Sequence, residues 1–280
     1  MLSMDVFSID HITDLDLDQT FDCGQCFRWA KMPDGSWNGA AGGRAASVRL
    51  DEGRLAISPC TESEFQTFWR GYLDLDRDYG AIRARLSEGD PVMAKAVAFG
   101  SGIRILRQDL WETIVSFIIS QNNNIPRIRG CIERLCDLTG KPLDVPADWQ
   151  AGALYTHGIP SAERLAEMEP RDLAPVRLGY RAKYIIGTAR RVASEGLPEN
   201  EEELRRLPGV GPKVADCILL FGMQQYQCFP VDVWMRRVMH DAYGFDEKDV
   251  SGMRDFARRQ FGSLGGFAQQ YLFYQARSRA

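Results

Sequence analysis

Leu204-Arg205-Arg206-Leu207-Pro208-Gly209-Val210-Gly211-Pro212-Lys213-Val214-Ala215-Asp216 decides how the chain is read. A short helix over Glu201–Arg206 ends at Leu207, and the Pro-Gly-Val-Gly stretch turns the chain sharply. Glycine, here Gly209 and Gly211, accepts the positive φ that such turns require. Pro212 fits the first position of the next helix, where its missing N–H costs nothing. The free N–H groups at that helix start form a phosphate site. A hairpin of this kind holds a nucleic-acid backbone without reading bases. A plain corner between two helices is the alternative, and the Leu-Pro-Gly-Val-Gly spacing argues against it.

Lys213 opens the second helix. The helix dipole and the apolar surroundings both disfavour its charged form, so a neutral, nucleophilic amine is expected. A phosphate contact is the ordinary alternative for a lone lysine. The balance shifts with Phe229-Pro230-Val231-Asp232-Val233. Asp232 follows an extended Pro-Val and caps the next helix. If the two turns share a cleft, that carboxylate can also stabilise positive charge developing at a sugar carbon.

Working outward, the chain has 280 residues, 34 Lys+Arg against 38 Asp+Glu, and a formal net charge of −4. Residues 1–100 hold 10 basic and 16 acidic side chains, so any nucleic-acid face is a local patch. The apolar stretches Ile114–Ile119 and Cys217–Met223 fall short of the roughly 20 residues a membrane span needs. No signal peptide is visible, and a cytoplasmic monomer without a membrane partner is the simplest expectation. Seven cysteines, an odd number, read as reduced thiols. Cys23 and Cys26 lack a second ligand pair and read as small buried side chains rather than a zinc site.

The fold class expected is α+β, an N-terminal antiparallel sheet domain packed on a mainly helical domain. The first spans residues 1–100 and the second 101–280. Strands are expected at Phe27–Lys31, Ala46–Leu50 and Arg54–Ser58, and a helix at Glu62–Tyr72 with a Thr61/Glu64 capping box. Helices follow at Leu110 onward behind Asp109, and at Arg127–Thr139, Ser161–Met168 and Arg181–Ser194. The remainder fall at Lys213–Gly222, Asp232–Tyr243, Ser251–Phe261 and Gly266–Arg279.

The hairpin, Lys213 and Pro230-Val231-Asp232 together resemble the helix-hairpin-helix, Gly/Pro…Asp superfamily of base-excision DNA glycosylases. Further segments resemble its 8-oxoguanine DNA glycosylase branch. They are Gly24-Gln25-Cys26-Phe27-Arg28-Trp29, Ser120-Gln121-Asn122-Asn123-Asn124-Ile125-Pro126-Arg127, Leu178-Gly179-Tyr180-Arg181-Ala182-Lys183-Tyr184 and Gly266-Phe267-Ala268-Gln269-Gln270-Tyr271-Leu272-Phe273. They run in family order over nearly the whole chain.

The resemblance implies a bifunctional glycosylase and AP lyase acting on duplex DNA that contains 8-oxoguanine, preferably opposite cytosine. The lesion nucleotide is flipped into a pocket, Lys213 attacks C1′, and a Schiff base leads to β-elimination. Asp232 is the carboxylate at the sugar. The lesion-base pocket is formed by the Gly24 carbonyl, Cys217, Gln269 and Phe273. Asn122 fills the gap in the duplex, and Arg127 and Arg181 contact the orphaned cytosine. The carbonyls of Arg205, Leu207 and Val210 resemble a site for a structural monovalent or calcium ion; no cofactor is required for catalysis.

Two departures stand out. Trp234 occupies a position where eukaryotic relatives carry histidine near a phosphate. Cys228 is the last cysteine, so the iron–sulfur pattern of the endonuclease III and adenine glycosylase branches is missing. The competing readings are a glycosylase for another damaged base, against which Lys213 speaks, and a non-catalytic helix-hairpin-helix protein that binds damaged DNA.

Overall fold

The computed structural model describes residues 5–145 and 155–278. Five antiparallel strands open the chain: β1 (Phe7–Ile9), β2 (Trp29–Lys31), β3 (Trp37–Ala41), β4 (Arg44–Asp51) and β5 (Arg54–Ser58). Their order in the sheet is β1-β5-β4-β3-β2. Alternate residues of β4 and β5 (Ala46, Val48, Leu55 and Ile57) are buried, as the period of two requires. They pack with Phe21, Trp29, Trp37, Phe65 and Trp69 into one apolar cluster. Phe21 stacks on Trp29 at 4.2 Å, and the Trp29 indole N–H donates to the Tyr72 hydroxyl at 2.8 Å. The buried aromatic rings thus have both an apolar contact and a satisfied polar edge.

The strand at β5 lies where expected. β4 is longer, β2 begins two residues later, and β1 and β3 were not foreseen. The Thr61/Glu64 capping box is present, and the helix behind it runs through a π-helical turn at Phe65–Trp69 before ending at Tyr72.

The helices that carry the site form a second core around Ile114, Ile118, Ile132, Ile185, Ile218 and Leu219. Helix Leu110–Ser120 is capped by Asp109, whose carboxylate accepts the Glu112 N–H at 2.8 Å. Such a cap stabilises by about 1 kcal/mol. Helix Ile125–Thr139 starts two residues before the expected Arg127, because Asn124 caps it and Pro126 falls in the first turn. Helix Arg181–Glu195 precedes the hairpin pair, Glu201–Arg206 and Pro212–Phe221. The expected Ser161–Met168 helix is shorter, at Ala162–Ala166, with Ser161 as its cap. Val233–Tyr243, Val250–Phe261 and Gly265–Ser278 follow. Among the described residues no helix is long and apolar enough to cross a membrane.

Two connections align the sheet with the helices around the site. The Gln25 amide donates to the Thr20 and Arg104 carbonyls at 2.9 and 2.7 Å, and its oxygen accepts the Leu106 N–H at 2.9 Å. The Glu112 carboxylate accepts the Gly42 N–H at 3.4 Å, joining the β3–β4 turn to the Leu110–Ser120 helix. At the other end of the chain, Gly266 lets helix Gly265–Ser278 approach the Pro212–Phe221 helix. A Cβ there would stand 2.2 Å from a Leu220 methyl.

Candidate active site

Asp232 has extended backbone and caps helix Val233–Tyr243, its Oδ1 accepting the Met235 N–H at 2.8 Å. Among the described residues no hydrogen bond is made by Oδ2. Lys213 stands in the first turn of helix Pro212–Phe221, one helical turn before Cys217. Its ammonium lies 5.6 Å from the centre of the Phe117 ring. One cavity, with about 320 Å³ of empty space including its mouth, is lined by Gly24, Phe117, Lys213, Cys217, Phe221, Pro230, Asp232, Gln269, Gln270 and Phe273. The six residues assigned to catalysis and base binding from the sequence therefore meet in one place.

The charge state of Lys213 differs from expectation. Burial does lower its pKa, but Cys217 and the carboxylates of Asp232 and Asp216 outweigh burial and hold the amine above the ordinary lysine value. Cys217 and Asp216 share the Lys213 helix, and Asp232 reaches the amine from the start of the next one. Burial pushes the Cys217 thiol up to about 11, against the opposing pull of Lys213.

The pocket wall is polar where a base edge would meet it. Gln269 is 5% exposed, and its Oε1 has no hydrogen-bond partner among the described residues. A buried unpaired acceptor is costly to the free protein and is ready for a ligand donor. Gly24 has φ +80°, and a Cβ there would sit 3.1 Å from the Phe273 ring. The neighbouring backbone is fixed from the C-terminal helix, because Gln270 donates to the Cys23 carbonyl at 2.8 Å.

This inner cavity opens into a wider cleft. Gly24, Phe117, Lys213, Asp232 and Phe273 line both, and Ser120, Asn123, Asn124, Ile125, Trp234 and Arg277 line the outer part. Trp234 stands at that mouth with the Arg237 guanidinium 5.3 Å from its ring centre.

Asn122 is exposed at the tip of the preceding turn, with φ +45°. Asparagine tolerates this left-handed conformation better than most residues. Arg127 is exposed one turn into its helix. Arg181 is not: it is 4% exposed. Its guanidinium donates to the Gln121 carbonyl, to the Asn122 carbonyl at 2.8 Å and to the Leu178 carbonyl at 3.2 Å. In the free protein Arg181 supports the Asn122 turn from behind rather than presenting itself to a partner. Tyr180 beside it was not singled out in the sequence; it is 47% exposed, with the Arg181 guanidinium 4.5 Å from its ring centre. Its aromatic character next to Arg181 was the available signal.

At the hairpin, the structure separates the two glycines. Gly209 has φ +83°, and a Cβ would stand 2.7 Å from the Tyr184 ring. Gly211 is extended at φ −87° with open space where a Cβ would go. Of the two, Gly209 is the one that uses the positive φ open to glycine. Gly211 caps the next helix without a side chain, so the Lys213 and Val214 N–H groups face outward unpaired by a cap. Of the carbonyls of Arg205, Leu207 and Val210, only Leu207 accepts a bond among the described residues, from the Val210 N–H at 3.1 Å. Neutral carbonyls at the end of a helix suit a hard cation of low charge. All seven cysteines are free thiols.

A helix-hairpin-helix turn, with a lysine and an aspartate behind it at a cavity with a polar wall, is the arrangement expected of proteins that work on the DNA backbone and its sugars. The chain matches the 8-oxoguanine DNA glycosylase N-terminal domain over residues 9–114 and the HhH-GPD superfamily of base excision DNA repair proteins over residues 115–260. It belongs to that superfamily, in its 8-oxoguanine DNA glycosylase family. A crystal structure of the Clostridium acetobutylicum 8-oxoguanine glycosylase/lyase, in complex with double-stranded DNA containing cytosine opposite 8-oxoguanine, is 41% identical. It superposes with a TM-score of 0.92 over 98% of this chain and 96% of that one. An N-glycosylase/DNA lyase of Arabidopsis thaliana is 29% identical over 93% of this chain and 77% of its own length. A probable N-glycosylase/DNA lyase of Methanothermobacter thermautotrophicus is 34% identical over 63% of this chain and 64% of its own length.

Proposed function

We propose that this chain excises 8-oxoguanine from duplex DNA and then cleaves the resulting abasic site. The observation that carries the reading is the single cavity in which Lys213 and Asp232 meet Gly24, Cys217, Gln269 and Phe273. A non-catalytic DNA-binding protein has no need of a buried nucleophile, and a purely hydrolytic glycosylase has no need of the lysine.

The flipped base enters between Phe273 and Cys217. 8-Oxoguanine differs from guanine in carrying a hydrogen on N7, so the Gly24 carbonyl accepts from the lesion and is repelled by the N7 lone pair of guanine. The unpaired Gln269 Oε1 takes an N–H of the Watson–Crick edge. The Lys213 amine is held protonated in the free protein, so it sheds a proton before its lone pair attacks C1′. The C1′–N9 bond breaks and the base leaves with that electron pair and a proton. The Asp232 carboxylate, through the oxygen not engaged in capping, stabilises the positive charge at C1′. Ring opening gives the Schiff base, and loss of a C2′ proton expels the 3′ phosphate.

On the opposite strand, Asn122 fills the gap and Arg127 reaches the acceptor edge of cytosine. Arg181 reaches it by leaving part of its carbonyl set, or acts by holding the Asn122 turn. The hairpin N–H groups hold a phosphate, and the Arg205, Leu207 and Val210 carbonyls would hold a structural ion between hairpin and backbone.

The test is borohydride trapping on duplexes carrying 8-oxoguanine opposite cytosine, 8-oxoguanine opposite adenine, or plain guanine. A covalent adduct with the lesion duplexes, stronger opposite cytosine and lost in Lys213→Gln, is expected. Tight lesion binding without any adduct refutes the lyase mechanism. An adduct confined to a preformed abasic site reopens which base is removed.

A further inference from the structure

Beside the pocket stands a charged cluster that the proposed chemistry does not use. Arg277, on the last turns of helix Gly265–Ser278, donates from Nη2 to the Asp22 carbonyl and lies 3.4 Å from the Asp22 carboxylate. The same carboxylate takes Arg129 from helix Ile125–Thr139 at 3.0 Å. Two guanidiniums thus share one carboxylate. The Arg277 guanidinium is placed 5.9 Å from the centre of the Phe273 ring. Its Nη1 lies 3.6 Å from the point where a Cβ of Gly24 would be. That nitrogen is buried and has no hydrogen-bond partner among the described residues. Arg277 also lines the outer cleft that leads to Lys213.

A buried charged donor without an acceptor is unfavourable by itself and marks a place where an incoming oxygen is missing. The surroundings narrow the choice. Gly24 and Phe273 flank this nitrogen, and they are the two residues assigned to the edge and the face of the flipped base. The acceptor assigned to Gly24 and a donor from Arg277 next to that residue would complement an N–H next to a carbonyl. The edge of 8-oxoguanine around N7 carries that pattern, with a carbonyl oxygen on each side of the N7 hydrogen.

We infer that Arg277 is a further residue that contacts the flipped base. Its Nη1 donates to a carbonyl oxygen flanking N7–H of the flipped base, while Asp22 and Arg129 hold the guanidinium in place. The inference rests on the proposed 8-oxoguanine reading and deepens it.

The experiment compares wild type, Arg277→Leu and Arg277→Lys on three duplexes with cytosine opposite: 8-oxoguanine, a preformed abasic site, and guanine. Single-turnover base release and strand cleavage are measured at two salt concentrations. Arg277→Leu is expected to slow 8-oxoguanine release by roughly ten- to hundredfold, the range for one charge-assisted hydrogen bond. Cleavage of the abasic duplex, which has no base to read, should stay within about twofold of wild type. Arg277→Lys should recover part of the loss, which a purely structural role of the arginine fork would not predict. Equal losses on lesion and abasic duplexes, with a shallower salt dependence, would assign Arg277 to a phosphate and overturn the inference. Unchanged lesion release would overturn it too. Failure of the wild-type protein itself to release 8-oxoguanine, with abasic cleavage intact, would instead overturn the substrate reading on which it stands.

Discussion

Replacing Gly24 by alanine probes the pocket with one methyl group. The backbone at Gly24 sits at φ +80°, where an L side chain costs about 1–2 kcal/mol. The added Cβ would come within 3.1 Å of Phe273 Cε1 and 3.5 Å of its Cζ. Phe273 is half-buried, so it can shift by a few tenths of an ångström, and the fold survives with a melting point lower by a few degrees. The methyl, however, occupies the gap between Gly24 and Phe273 that a base edge must enter. Displacing the base by about 1 Å from its attack position costs on the order of 100-fold in rate. Gly24→Ala should therefore lose about 100-fold in single-turnover release of 8-oxoguanine. Cleavage of a preformed abasic site should remain nearly intact, because that substrate leaves the gap empty. Quenched-flow or gel-resolved single-turnover assays on both duplexes measure the two rates. Lesion release within about threefold of wild type, or an equal loss on both duplexes, would refute the geometric argument.

Three further expectations follow from other parts of the fold. Gly209→Ala, driven into the Tyr184 ring at positive φ, should lower the melting temperature and weaken binding to any duplex; Gly211→Ala, unobstructed but at a helix cap where alanine is poorer than glycine, should cost less stability than Gly209→Ala and weaken DNA binding regardless of lesion, seen by calorimetry alongside fluorescence anisotropy. The abasic-site lyase rate should climb about tenfold per pH unit from pH 6 to 9 without a plateau, since Lys213 is held above the ordinary lysine value; a plateau near pH 7 would show a depressed amine instead. Glu112 is pushed up to about 7, first by burial and against the pull of Arg28, so the folded chain retains a proton that the unfolded chain releases near 4.5. Stability then falls as pH rises between those values, and Glu112→Gln should flatten the curve and gain most above pH 7, as followed by denaturant titrations.

Local features of the site were legible because local rules govern them. Asp232 as a helix cap, Pro212 in a first turn and Gly209 in a tight turn each depend on a few adjacent residues. The meeting of Gly24 with Gln269 and Phe273 spans almost the whole chain, and no periodicity encodes it; family resemblance alone supplied it. Strand β3 escaped notice because Gly39, Ala40 and Ala41 run into Gly42-Gly43 and look like turn. The sheet needs small residues there, since a Cβ at Gly39 would overlap the Trp29 ring at 2.3 Å. Arg181 looked like a surface contact, yet carbonyls from a distant turn bury it. At Lys213 the contributions that oppose burial come first from Cys217, four residues on in the same helix, and then from the Asp232 carboxylate, which arrives from another element.

The inner cavity is closed by residues far apart in sequence, with Gly24 on one side and Gln269 and Phe273 on the other. Lys213 and Asp232 sit on other elements, at the starts of helices Pro212–Phe221 and Val233–Tyr243. The wall therefore depends on one docking, held by Gln270 on the Cys23 carbonyl and Arg277 on Asp22. Loosening that seam should spoil the shape of the cavity before it disturbs the amine and the carboxylate.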